Sequence, residues 1–149
     1  MYDSTYDTEK HIAEIKRVFN FIILPELEKR KENHDQSKLV NPEKECYDKY
    51  IPMLKEVKFG SKEYVEVRNK MYEDGLKHHF EVNRHHPEHF PDGIESMTLI
   101  DIVEMFCDWV ASSKYSDTSF KDGLKFNKKK FKMSEQLYNI FLNTYKEYF

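Results

Sequence analysis

Glycine and proline are scarce in this chain, at four and five residues in 149. Flexible linkers draw on glycine and serine, and stiff ones on proline. The chain is therefore expected to be one compact domain spanning 1–149, a length that suits a single core. Cysteine is limited to Cys46 and Cys107, with no metal or redox spacing. Two such residues are expected to be reduced thiols of a cytoplasmic protein rather than a disulfide framework. The longest apolar run is "FIIL", whereas a membrane-spanning helix needs about 20 such residues. The opening "MYDSTYDTEK" is acidic and polar, unlike a signal peptide. Neither sign of charge is in excess: 24 Lys and Arg face 27 Asp and Glu, a net −3. That balance speaks against a general nucleic-acid binder and leaves room for a small phosphorylated ligand.

What is present is an apolar fraction of 39%, rich in Phe and Tyr, arranged at helical spacing. The pattern predicts an all-α bundle of about five to seven helices, with no strand pair and no repeat. Thr8 is placed to cap a first helix carrying Ile12, Ile15, Val18, Phe19 and Ile22, which Pro25 ends, kinks or follows as the start of a second piece. "NPEKE" at 41–45 opens a helix running to about Val57, with Asn41 as cap and Pro42 in first position. "FGSKEY" at 59–64 breaks and restarts it, with Ser61 as cap, and the new helix reaches about Arg84 before Pro87 stops it. "PEHFPDGIES" reads as a loop. Thr98 caps the clearest helix, the stretch from 115 to 130 reads as a loop with a short helix, and Ser134 caps an amphipathic last helix expected to pack on the protein's own core.

The titratable residues cluster. Five of seven histidines fall in "HHFEVNRHHPEH", residues 78–89. His79, Asn83 and His86 are spaced i, i+4, i+7 and share a face if the helix continues. Histidines near a helix C-terminus can also be there simply for the helix dipole. His11 shares a face with Ile15, Val18 and Ile22 and is expected to point inward. Asp101, Glu104 and Asp108 form a narrow acidic stripe on the helix capped by Thr98. The stripe is either a solvent face or, since Ile100, Met105 and Ala111 border it, a recessed carboxylate row. "HDQSK", 34–38, adds an adjacent His34–Asp35 pair and Lys38. Imidazoles and carboxylates from different helices suit a divalent first-row metal, as in helical-bundle sites.

That order resembles the HD-domain superfamily of metal-dependent phosphohydrolases, whose signature is a His, an adjacent His-Asp pair and a distant Asp. "HDQSK" is similar to the HDxGK of the HD-GYP type, with Ser37 in place of Gly, and "HHPEHFPDG" to its HHExxDG, with no GYP tripeptide present. "HDQSK", "HFEVNRHH" and "EMFCDW" also resemble a conserved family of phages and bacteria with the pattern HDxSK, HxxxNxHH and EMxxDW and no assigned activity. The HD resemblance implies His11, His34, Asp35 and Asp108 on one metal. His79, His85 and His86 would hold a second, and Asp35 would bridge the two. The ion would be Mn, Fe, Zn, Co, Ni or Mg. Water would attack phosphorus with Asp35 and Lys38 in the catalytic group. Asn83 and Glu104 would orient imidazoles, with Arg84 and Lys114 as further phosphate contacts. The expected substrate is a small phosphoester of nucleotide type. The alternative is a non-catalytic module stabilised by the same metal that binds a nucleotide or a host protein. A third reading leaves the histidines as surface residues of a helical domain.

Overall fold

A computed structural model describes residues 2–58, 60–115 and 118–149. Met1, Phe59 in the expected break, and Ser116 and Asp117 in the ambiguous stretch lie outside the described residues. The fold is all-α, as expected, with six continuous helical runs and no strand among the described residues. No helix of the described residues is long and apolar enough to cross a membrane. The chain divides into two compact units, Met1–His34 and Asp35–Phe149.

The first unit is one run of helix: α1 (Thr5–Val18), a π-helical turn (Phe19–Ile23) and α2 (Leu24–Asn33). Pro25 follows directly on the π-helical turn inside this run, where its missing N–H leaves one helical bond unmade. Thr8 is not the cap. The helix starts earlier, and the Thr8 hydroxyl donates to the Ser4 carbonyl at 3.0 Å, a bond made from inside the first turn. α1 buries no residue, and His11 is exposed rather than inward-facing. A single rod of helix has no second layer in its own unit against which an apolar stripe can be buried.

The second unit carries α3 (Glu43–Glu56), α4 (Lys62–Met71), a π-helical turn (Tyr72–Leu76), α5 (Lys77–Val82), α6 (Leu99–Ser113), α7 (Phe120–Lys130) and α8 (Glu135–Tyr148). Local chemistry fixes several starts. The hydroxyls of Ser61, Thr98, Ser119 and Ser134 each accept an N–H of the first turn, and Thr98 with Asp101 forms a full capping box. The cap expected at Asn41 is displaced by one residue: Pro42 precedes α3 and the Asn41 amide donates to the Glu45 carboxylate. Residues 87–96 hold two short 3-10 turns, Pro87–His89 and Gly93–Ser96.

Two apolar clusters hold this unit together. Met105, Phe106 and Val110 of α6 pack on Phe120, Leu124, Met133 and Phe141, with Leu137, Tyr138, Leu142 and Tyr145 around them, so α8 does pack on the protein's own core. Cys46 and Tyr50 of α3 pack on Met71 and Leu76. The second contact depends on Gly75, because a Cβ there would lie 2.6 Å from the Cys46 Cβ. Asp74 in the same π turn accepts from Lys49 Nζ at 2.8 Å and from Tyr50 Oη at 2.6 Å. These bonds tie α3 to the turn that leads into His78 and His79, and so set one wall of the site.

Candidate metal centre

The side chains of "HDQSK" are positioned by an unusual backbone. α2 ends at His34, its C-cap and the last residue of the first unit. Asp35 follows with φ 57° and ψ 12°, in the left-handed region that non-glycine residues enter at a cost, Asp and Asn most readily. Two bonds from Lys38 hold it there: N–H to the Asp35 carbonyl at 2.9 Å and Nζ to Oδ2 at 2.6 Å. A strained residue at a cluster of titratable groups is a pointer to function. The Lys38 ammonium also lies 5.1 Å from the Tyr47 ring centre.

The other donors come from the end of α5. The helix does not continue as the i, i+4, i+7 spacing requires, because Asn83 turns extended at φ −110° and ψ 110°. The residues converge nonetheless. Asn83 Nδ2 donates back to the His79 carbonyl at 2.9 Å and to Ser37 Oγ at 2.8 Å, folding the chain so that His86 Nε2 comes 2.8 Å from His79 Nε2. The His85 and His86 rings stand 4.2 Å apart, and those of His79 and His86 4.7 Å. Ligand atoms of Asp35, His79, His85 and His86 all lie within 4.8 Å of one another. Those of Asp35, His85 and Asp108 are equally close. Asp35 Oδ1 is 3.5 Å from both His79 Nε2 and His85 Nε2. Two donors on one first-row ion, each about 2.1 Å from it, stand roughly 3.0–3.4 Å apart, and the 3.5 Å separations of Asp35 Oδ1 from the two imidazoles come close to that.

The far side of two of the three imidazoles, those of His79 and His85, is backed by a carboxylate. Glu43, fully buried, accepts from His79 Nδ1 at 2.8 Å and from Ser37 Oγ at 2.8 Å through Oε2, and from His78 Nδ1 at 2.8 Å through Oε1. Burial alone would raise its carboxyl pKa, but hydrogen bonds from Ser37, His78 and His79 outweigh it and hold the group below the usual carboxylate range. A charged Glu43 fixes the proton of His79 on Nδ1 and turns the Nε2 lone pair towards Asp35 and His86. Glu104 stands 3.3 Å from His85 Nδ1 and does the same there. Burial lowers the pKa of both His79 and His86, the latter to about 2, with His85 and His79 adding to the effect on His86. The imidazoles of His79 and His86 are thereby kept neutral, the form that binds metals.

The acidic stripe of α6 is recessed, and its three members do different work. Asp101 is fully buried and accepts from Arg84 Nε at 3.0 Å and Nη2 at 2.8 Å, besides the N–H and hydroxyl of Thr98. Arg84 is thus committed to α6, with its guanidinium 4.8 Å above the Phe90 ring, and it pins the segment carrying His85 and His86. Glu104 backs His85, and Asp108 turns an oxygen towards Asp35 and His85. Lys114, at the end of α6, is exposed. His11 and His34 belong to the first unit, and a peptide bond joins His34 to Asp35. Glu43 and Tyr47 carried no signal in the sequence beyond helical position. The Tyr47 ring lies edge-on to His79 at 6.0 Å, and burial with the Asp35 charge raises its phenol pKa, keeping it protonated.

The fold and the cluster define an all-helical protein with a recessed histidine–carboxylate centre. The chain belongs to a family of unknown function, DUF5662, whose profile matches residues 1–147. No curated protein and no solved structure matches it.

Proposed function

We propose that the protein is a cytoplasmic metal-dependent phosphohydrolase of HD type acting on a nucleotide-type phosphoester. The observation that carries this is the convergence of Asp35, His79, His85 and His86, with Glu43 and Glu104 behind the imidazoles. These residues would hold the ion, with Asp108 beside them. Three imidazoles favour Mn, Fe, Co, Ni or Zn over Mg, which prefers oxygen ligands. Asp35 spends Oδ2 on Lys38 and offers Oδ1 to the imidazole side, so one ion fits better than two bridged by this carboxylate.

A bound ion supplies Lewis acidity towards water and the phosphoryl oxygens. The chain's own residues do the rest. Asp35 and the histidines orient the ion. Lys38, tied to Asp35, brings positive charge to the edge of the cluster, where an incoming phosphoryl group gains from it. The neutral Tyr47 phenol closes the side formed by α3. The second reading, a metal-stabilised module without catalysis, draws support from the same Lys38 pairing, because an ammonium engaged by Asp35 and Tyr47 is less available to a substrate.

The test is release of p-nitrophenol or phosphate from p-nitrophenyl phosphate, bis(p-nitrophenyl) phosphate and a nucleotide panel, with each of the five ions. The expected result is hydrolysis that needs one of them and is lost in Asp35→Asn. Metal-loaded protein that hydrolyses nothing would favour the module. Protein that takes up no metal would defeat both readings.

A further inference from the structure

Three of the four glycines have a steric reason in the fold. Gly60 and Gly93 have φ of +76° and +60°, and Gly75 makes room for Cys46. Gly123 has none: it lies inside α7, and a Cβ there would meet nothing within 4 Å. Glycine is among the poorest helix formers, so its place in α7 calls for another cause. Gly123 lines a cavity of about 160 Å³ between α6 and α7.

The lining is aromatic and neutral. Trp109, Phe120 and Leu124 supply apolar surface, and no charged side chain takes part among the described residues. The indole is held from behind by Phe131, stacked at 6.2 Å, and by Phe141. Two of the hydroxyls are already used: Ser113 Oγ donates to the Val110 carbonyl and Ser119 Oγ caps α7. The side chains of Ser112 and Asn127 make no hydrogen bond among the described residues. Ligand pockets for drug-sized molecules span about 300–1,000 Å³, so this one holds a ring and not a whole nucleotide. Ser112 lies four residues beyond Asp108 on α6, a rise of about 6 Å, and so next to the proposed centre.

We infer that this cavity binds a neutral heteroaromatic ring of nucleobase type, with Gly123 keeping it open and Ser112 and Asn127 bonding the ring's polar edge. The inference deepens the proposed function by naming the part of the substrate that carries recognition. A ring beside Trp109 gains stacking energy, and an amide at its edge selects donors and acceptors.

Trp109 is the only tryptophan in the chain, so intrinsic fluorescence reports on the cavity directly. The experiment titrates the full chain with adenosine, guanosine, cytidine and uridine, which lack phosphate, and measures Co(II) uptake on the same preparations. Saturable quenching by at least one nucleoside is expected. Gly123→Leu, which fills the cavity, should weaken it at least tenfold with unchanged Co(II) uptake, and Asn127→Ala should weaken it severalfold. Absence of saturable quenching up to millimolar nucleoside, or equal affinity in Gly123→Leu and the wild type, overturns the inference. Quenching without Co(II) uptake would refute the metal centre and leave the cavity assigned. Co(II) uptake without quenching would do the reverse.

Discussion

Replacing Glu43 by Gln changes few atoms and removes the charge on which the His79 tautomer depends. In the wild type one carboxylate accepts three hydrogen bonds, from Ser37, His78 and His79, in a fully buried position. An amide has one oxygen and must turn an NH₂ towards at least one donor. If that donor is His79 Nδ1–H, the imidazole escapes the clash by moving its proton to Nε2, where it blocks the lone pair that faces Asp35. Loss of such an outer partner typically costs about 10–100-fold in metal affinity, roughly 1.4–2.7 kcal/mol. Glu104→Gln acts on His85 across a longer 3.3 Å contact and should cost less. The assay is Co(II) and Zn(II) affinity by competition with a chromophoric chelator, with far-UV circular dichroism to confirm that the helices persist. Ser37→Ala, which leaves the charge but removes one of the three bonds and the Ser37 acceptor for Asn83, should cost less than Glu43→Gln. Wild-type affinity in a folded Glu43→Gln protein would refute the tautomer argument.

Further outcomes follow from other contacts. Arg84→Met breaks two charge-assisted bonds to the buried Asp101, so chemical denaturation should show a loss of about 1.5–3 kcal/mol, with Arg84→Lys intermediate. Gly75→Ala places a methyl group 2.6 Å from the Cys46 Cβ and should cost about 1–3 kcal/mol, part of which Cys46→Gly restores. In metal-free protein, the depressed Glu43 carboxyl contributes stability above its unfolded pKa of about 4.3, and that contribution is lost as pH falls through the lower folded value. Melting temperature should therefore drop on acidification below about pH 4, and the drop should be shallower in Glu43→Gln.

Local chemistry could be read from the sequence. Ser61, Thr98 and Ser134 are caps because a hydroxyl next to an apolar-periodic run has few other uses, and the structure places each where the pattern does. Thr8 shows the limit, since a hydroxyl inside the first turn looks the same in sequence as one at its edge. The gathering of His79, Asn83 and His86 was legible, though by a different route: helical spacing suggested a shared face, whereas the chain turns at Asn83 and folds back through the amide. Glu43 was not legible. It lies 36 residues before His79 and reads as one more acid in the first turn of a helix. Its role depends on how α3 meets the π turn at Tyr72–Leu76, a packing relation held by Gly75, Lys49, Tyr50 and Asp74 that no short window contains. The pairing of Arg84 was hidden for a related reason, because a lone arginine beside histidines suggests a phosphate contact and its buried partner on α6 lies 17 residues away.

The most direct test of the metal centre is elemental analysis of untagged, chelator-free protein beside its Asp35→Asn variant. Asn suits the left-handed backbone at this position as Asp does, so the loop should keep its course while the charged donor is lost. The account predicts close to one equivalent of a first-row transition ion in the wild type and little in the variant. Wild-type protein that is folded and stays metal-free when offered Mn, Fe, Co, Ni and Zn would contradict it, as would a variant that keeps its full metal content.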